Sequence, residues 1–136
     1  MTDQTTRTST ESIGVSLVGG DATIRHARQI ILRSVHYDVR SYATCAALVA
    51  DPRSRTRPCI VVDIETNEVD GAALLREMRA TGWKGKAILL GDIKPGSPLQ
   101  RAAERTGDKV LERNIADGPL IAAIAASVDL LERGRV

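Results

Sequence analysis

Apolar runs of four to six residues alternate along this chain with longer amphipathic stretches, and the alternation predicts its elements. Met1 to Ser12 is polar, rich in Thr and Ser, and is expected to form a disordered tail. Ile13 to Val18 reads as a short strand, stopped by Gly19-Gly20-Asp21. Ile24, Ala27, Ile31 and Val35 then recur at spacings of three and four, the pattern of a helix with one apolar face. Asp21 has the chemistry and position of that helix's N-cap. Tyr37 to Tyr42 mixes apolar and charged residues, so it reads as a second, more polar strand suited to a sheet edge.

Thr44 to Ala50 predicts a short helix ended by Asp51-Pro52, because the residue before a proline avoids helical backbone. The wholly apolar Cys59 to Val62 predicts a buried third strand. A third helix follows over 70–81, burying Leu74, Leu75 and Met78 and stopping at Gly82. Lys86 to Leu90 is the fourth strand. Ser97-Pro98-Leu99-Gln100 has the form of a capping box with proline at the first helical position, opening a helix that ends at Gly107. Val110-Leu111 makes a short fifth strand. Asp117 caps a last helix whose buried stripe is Ile121, Ile124, Val128 and Leu131.

Strand and helix thus alternate five times with short connections, which implies an α/β fold with a parallel sheet covered on both faces. The expectation is a flavodoxin-like, doubly wound (βα)5 domain over 13–133, with strand order 2-1-3-4-5. In that order the first and third strands are neighbours at the switch point, and their carboxyl ends form the ligand crevice. Gly19-Gly20-Asp21 and Asp63 stand at those two ends, which makes Asp63 a candidate site residue as well as a candidate turn cap.

Composition narrows the function. With 136 residues the chain is one domain, and its net charge of +2, from 19 basic and 17 acidic side chains, points to neither a nucleic-acid nor a membrane partner. No phenylalanine, one tryptophan and two tyrosines leave little for stacking on single-stranded nucleic acid. Arg53-Ser54-Arg55-Thr56-Arg57, the densest basic stretch, is expected to be a solvated loop. Cys45 and Cys59 lack paired metal-ligand spacing and read as small packing residues. His26, beside Arg25 and Arg28, is expected on a solvated helix face, and His36 has no evident carboxylate partner. Trp83 fits two readings, an anchor for a partner or a ring packed over the adjacent helix. Gly19-Gly20 starts no dinucleotide fingerprint and no phosphate loop occurs, so a small flavodoxin-like enzyme or nucleotide binder finds no support beyond the fold class. With no signal peptide and no apolar run of about 18 residues, a reducing cytoplasm is the expected location.

The segment Asp63-Ile64-Glu65-Thr66-Asn67-Glu68-Val69-Asp70-Gly71 carries a family resemblance. It resembles the D-[LI]-x-M-P-x-x-D-G stretch of response-regulator receiver domains, the phosphoacceptor modules of bacterial two-component signalling, and it follows the third of five strands as theirs does. By that resemblance Asp63 stands at the phosphoacceptor position, and the match extends from about Ile13 to Leu131. Other receiver-site positions depart. Gly19 and Gly20 replace an acidic pair after the first strand, Gly91 replaces Thr or Ser after the fourth, and Arg113-Asn114 replaces a lysine, usually before proline, after the fifth. Val110 replaces an aromatic switch residue.

The resemblance implies Mg²⁺ as cofactor, yet the departures reduce its protein ligands to Asp63 and the backbone carbonyl of Glu65. Asp21, one residue beyond the glycine pair, and Asp92, after the fourth strand, are the nearest additional carboxylates. Mg²⁺ requires near-octahedral oxygen coordination and dehydrates reluctantly, so a weak or absent site is expected. Arg113 keeps the charge of the lysine but presents it as a broad planar fork. The sequence therefore reads as a degenerate receiver, or pseudo-receiver, and not as an enzyme. It is expected to act through protein contacts with a histidine kinase or another signalling protein, with a functional phosphoacceptor as the alternative. By resemblance a homodimer would use the face of the fourth helix, fifth strand and fifth helix, including Arg101, Arg105, Lys109 and Glu112. No DNA-binding output domain is expected between the last helix and Val136, and both a stand-alone regulator and the receiver part of a longer protein stay open.

Overall fold

The apolar runs become strands β1 (Gly14–Val18), β2 (Asp38–Tyr42), β3 (Cys59–Asp63), β4 (Lys86–Leu90) and β5 (Lys109–Leu111). Between and after them lie helices α1 (Ala22–Ser34), α2 (Cys45–Ala50), α3 (Glu68–Ala80), α4 (Pro98–Thr106) and α5 (Asp117–Gly134). The structure, a computed structural model, describes residues 12–64 and 68–134. The expected tail over residues 1–12 therefore lies outside the described residues except for Ser12. All strand pairs are parallel and the order is β2-β1-β3-β4-β5, the flavodoxin-like order expected.

Alternation along β3 divides the core into two layers, since successive strand residues point to opposite faces. Ile60 and Val62 pack with Leu48 of α2, Leu74 and Met78 of α3 and Leu99 of α4. Cys59 and Val61 pack on the other face with Leu32 of α1 and Leu120 and Ile124 of α5. Burial of Cys59 raises its thiol to about 12, so it is a packing residue in chemistry as well as position. Trp83 is buried and donates its Nε1–H to the Arg57 carbonyl at 2.7 Å, with the Arg79 guanidinium over its ring at 4.6 Å. Of its two readings, packing is the one realised. Among the described residues no helix is long and apolar enough to cross a membrane.

Several expectations are corrected. On α1 the buried residue is Leu32, while Ile24, Ala27 and Val35 are exposed and Ile31 is half-buried. Residues 25, 28 and 32 satisfy the same helical period as 24, 27, 31 and 35, and arginine stems cover apolar surface while their heads reach polar partners. On α5 the inner stripe starts at Leu120 and not at Ile121, which is half-buried like Leu131. Asp117 is the first helical residue and the Ala116 carbonyl accepts the first bond, from Leu120 N–H at 3.2 Å. Ser97 caps α4 through the Gln100 N–H at 3.2 Å, but the reciprocal half of the capping box is not made: the Ser97 N–H goes to the Lys94 carbonyl and the Gln100 side chain to Glu104. α3 begins two residues before the expected position. The basic stretch after α2 forms a 3-10 turn, Pro52–Thr56, whose Arg53 and Arg55 are exposed as expected. Arg57 beyond it is buried, with its guanidinium against the backbone carbonyl and carboxylate of Asp38.

That turn is tied to the edge strand by the Tyr42 hydroxyl, which donates to Asp51 Oδ2 at 2.7 Å. This bond first, and the Arg53 N–H second, pull the Asp51 carboxyl down to about 2 from its ordinary 3.8. Burial, and then the same bond, push Tyr42 up to about 12. A depressed carboxyl contributes stability above its unfolded pKa that disappears as pH falls through the folded value, here from about pH 4 to about pH 2. The raised tyrosine contributes below about pH 10 and loses that contribution as pH climbs towards about 12. Tyr42→Phe is expected to bring the Asp51 titration, followed by its carboxyl carbon in NMR, back towards the ordinary value and to flatten the acid loss of stability. An unchanged Asp51 titration would remove Tyr42 as the cause.

Candidate functional site

The switch point is built from four strand ends. β3 finishes on Asp63, and the next N–H, of Ile64, donates to the Leu90 carbonyl at 2.7 Å. β1 runs into Gly19, whose N–H donates to the Tyr42 carbonyl at 3.1 Å. β4 ends at Leu90 before Gly91, and Arg113 follows β5 by two residues. The crevice has a volume of about 320 Å³ and is lined by Gly19, Gly20, Thr44, Cys45, Asp63 and Asp70 among others.

Two glycines at the site have a packing reason. A Cβ on Gly71 would collide with the Ile64 side chain, so the glycine lets α3 lie close to the residue after Asp63. A Cβ on Gly91 would stand 2.7 Å from the Ile64 carbonyl oxygen, which leaves no place for a hydroxyl-bearing side chain there without a backbone shift. Gly19 differs: its Cβ would meet Asp63 Cβ at an ordinary 3.6 Å.

Asp63 is closed in. Its side chain is 2% exposed, with Oδ2 3.4 Å from Arg28 Nη1 and Oδ1 3.4 Å from Arg113 Nε. Oδ1 accepts no hydrogen bond among the described residues, so its partner is an ion pair and not a well-formed bond. Arg28 reaches further: its Nη2 donates to the Arg113 carbonyl at 2.9 Å. One turn earlier on the same face, Arg25 donates to the Gly19 carbonyl. The two guanidiniums on Asp63 thus come from α1 and from the β5–α5 loop, and the Arg28 guanidinium is tied to that loop through the backbone carbonyl of Arg113.

The sequence-derived site residues sort as follows. Asp63, Gly19, Gly20 and Arg113 converge, and Gly91 sits beside them. Asp21 caps α1, its Oδ1 accepting from the Ile24 N–H at 3.1 Å, which is the cap role expected for it. Glu65, together with Thr66 and Asn67, lies outside the described residues. Asp92 is exposed on the loop after β4, and Asp70 is exposed in the first turn of α3. Arg28 and Arg25 were not singled out from sequence as site residues. The available signal was their spacing of three directly after a Gly-Gly turn, which places both on one helix face at the crevice.

The described residues do not fit Mg²⁺. The ion seeks oxygen ligands, whereas around Asp63 stand two glycines and two guanidiniums, and Asp21 is engaged in capping. Among the described residues no group of three or more His, Cys, Asp or Glu side chains is placed to hold a metal ion.

Comparison with known proteins agrees with this architecture. A response-regulator receiver domain (CheY-like) from Methanospirillum hungatei matches with a TM-score of 0.75 over 91% of this chain and 99% of that one, at 18% identity, which establishes the fold. In sequence the chain is 30% identical over 130 residues to the transcriptional regulatory protein FixJ of Azorhizobium caulinodans, covering 92% of this chain and 60% of FixJ. It is 26% identical over 130 residues to the transcriptional regulatory protein TdiR of Thauera aromatica, covering 93% of this chain and 56% of TdiR. No protein-family model matches the chain. Fold and sequence similarity together support a response-regulator receiver domain of the CheY-like kind, a module of two-component signalling. The chain spans less than two thirds of the length of either regulator.

Proposed function

We propose that this receiver works in two-component or phosphorelay signalling through protein contacts, with Mg²⁺-dependent phosphorylation of Asp63 impaired or absent. The observation that carries the reading is the enclosure of the Asp63 carboxylate, 2% exposed with a guanidinium 3.4 Å from each oxygen. Phosphoryl transfer to a carboxylate needs an oxygen free to attack in line and preorganised cations around the equatorial oxygens of the incoming group. Here both oxygens face cations already, and among the described residues no group of three or more metal-ligating side chains stands ready for a bridging metal.

The partner in this reading is a histidine kinase or another signalling protein, met in the cytoplasm. The names of the FixJ and TdiR regulators support a role beside transcriptional control. Arg101, Arg105 and Glu112 are exposed and Lys109 half-buried, so the α4–β5–α5 face offers mixed charge for orientation-specific pairing, including homodimerisation. The test is incubation with acetyl phosphate or phosphoramidate and Mg²⁺, read by intact mass. No phosphoryl adduct is expected. An adduct that disappears in Asp63→Asn would establish the alternative, a working phosphoacceptor.

A further inference from the structure

The reading of Asp63 as closed to magnesium explains what is missing but not what neutralises the carboxylate in its place. Resting on that reading, we infer that Arg28 is the built-in counter-cation of this receiver, its guanidinium standing in for a metal ion at Asp63. Three features of the site converge on it. The guanidinium cannot lose its charge in a protein, is 12% exposed at the side chain, and lies 3.4 Å from Asp63 Oδ2. It is held in place from a second side by the Arg113 carbonyl at 2.9 Å, so its position is preorganised. Finally, a side chain can start at Gly19 next to Asp63: among the described residues its Cβ meets Asp63 Cβ at 3.6 Å and Arg25 Cβ at 4.0 Å, both ordinary contacts. Space therefore does not exclude a Cβ at Gly19, and what the site sets against a metal ion there is the charge of Arg28. At this site the Arg28 cation stands beside Asp63, and positions 19 and 20 carry glycines and no side-chain acid.

The inference makes Arg28 a positioning residue that excludes metal, and its test uses Mn²⁺, whose unpaired electrons broaden nearby amide signals in NMR. The full chain is compared as wild type, Arg28→Lys, Arg28→Gln, Gly19→Asp and Gly19→Asp with Arg28→Gln, each first checked for native amide dispersion. Wild type and Arg28→Lys, which keep a cation, are expected to show no saturable broadening around Asp63. Arg28→Gln is expected to show it, and adding Gly19→Asp to Arg28→Gln is expected to lower the Mn²⁺ needed ~10-fold. Gly19→Asp alone, in which Arg28 can pair the added carboxylate, is expected to stay silent. Equal broadening in Arg28→Lys and Arg28→Gln, or none in a folded Arg28→Gln, overturns the inference. So does broadening in Gly19→Asp alone, which decides the matter if Arg28→Gln does not fold. Saturable, Asp63-dependent broadening in the wild type is a separate result: it removes the closed-site reading itself.

Discussion

Arg28→Met is expected to lower the stability of the domain by about 3 kcal/mol, because it strands a buried carboxylate. Asp63 is 2% exposed at the side chain and has two ionic partners, of which Arg113 is 36% exposed and correspondingly screened by solvent. The larger share of the pairing therefore falls to Arg28, at 12% exposure. Methionine keeps much of the apolar stem, so the loss isolates the charge and the bond to the Arg113 carbonyl. Asp63→Asn should cost less, about 1–2 kcal/mol, since both arginine heads can turn towards water while the amide stays in place. The double variant should lose less than the sum, with a coupling of about 1–2 kcal/mol in a cycle measured by urea unfolding. Additive losses would mean that the 3.4 Å pair contributes nothing beyond its separate members.

Asp108→Ala is expected to cost about 4 kcal/mol and to lower the melting temperature by about 10 °C or more. Its carboxylate is 1% exposed and gathers four bonds: two from Arg79 Nη2 at 3.0 Å, one from the Ala87 N–H at 2.8 Å and one from the Thr106 hydroxyl at 2.6 Å. Those donors belong to α3, β4 and the end of α4, so a single side chain joins three elements at the sheet end opposite Asp63. Removing it leaves the buried Ala87 N–H without its acceptor and deprives Arg79 of its counter-charge, though Arg79 keeps the Gly85 carbonyl at 2.7 Å. Asp108→Asn retains one acceptor oxygen and is expected to cost about half as much. Thermal unfolding by circular dichroism separates the two variants. Equal, small losses in both would show that the network relaxes around the missing charge.

Neither residue was legible in the chain as an important group, whereas the elements that carry them were. Strands and helices followed from local chemistry: apolar runs of strand length, proline and glycine at their ends, and side-chain caps. Thr44 capping α2 and Gly107 closing α4 with a φ of 77° are decided by residues within one turn. Strand order followed as well, because right-handed crossovers between short parallel strands leave few arrangements open. Asp63 could be placed at the switch point on the same grounds.

Tertiary structure alone decided which helix face turns inward and what closes over Asp63. On α1 two stripes obey the helical period, and hydrophobicity favours the wrong one: Ile24 and Val35 are exposed while Arg28 is drawn in by a carboxylate 35 positions away. The bond from Arg28 to the Arg113 carbonyl spans 85 positions, a distance over which no local pattern carries information. The burial of Arg57, the choice of Leu120 over Ile121 and the unmade half of the α4 capping box are of the same kind. Periodicity and propensity act over a turn or a strand, so they determine the elements of this receiver. The charges at its site are matched across the sheet, and only the packed chain brings those partners together.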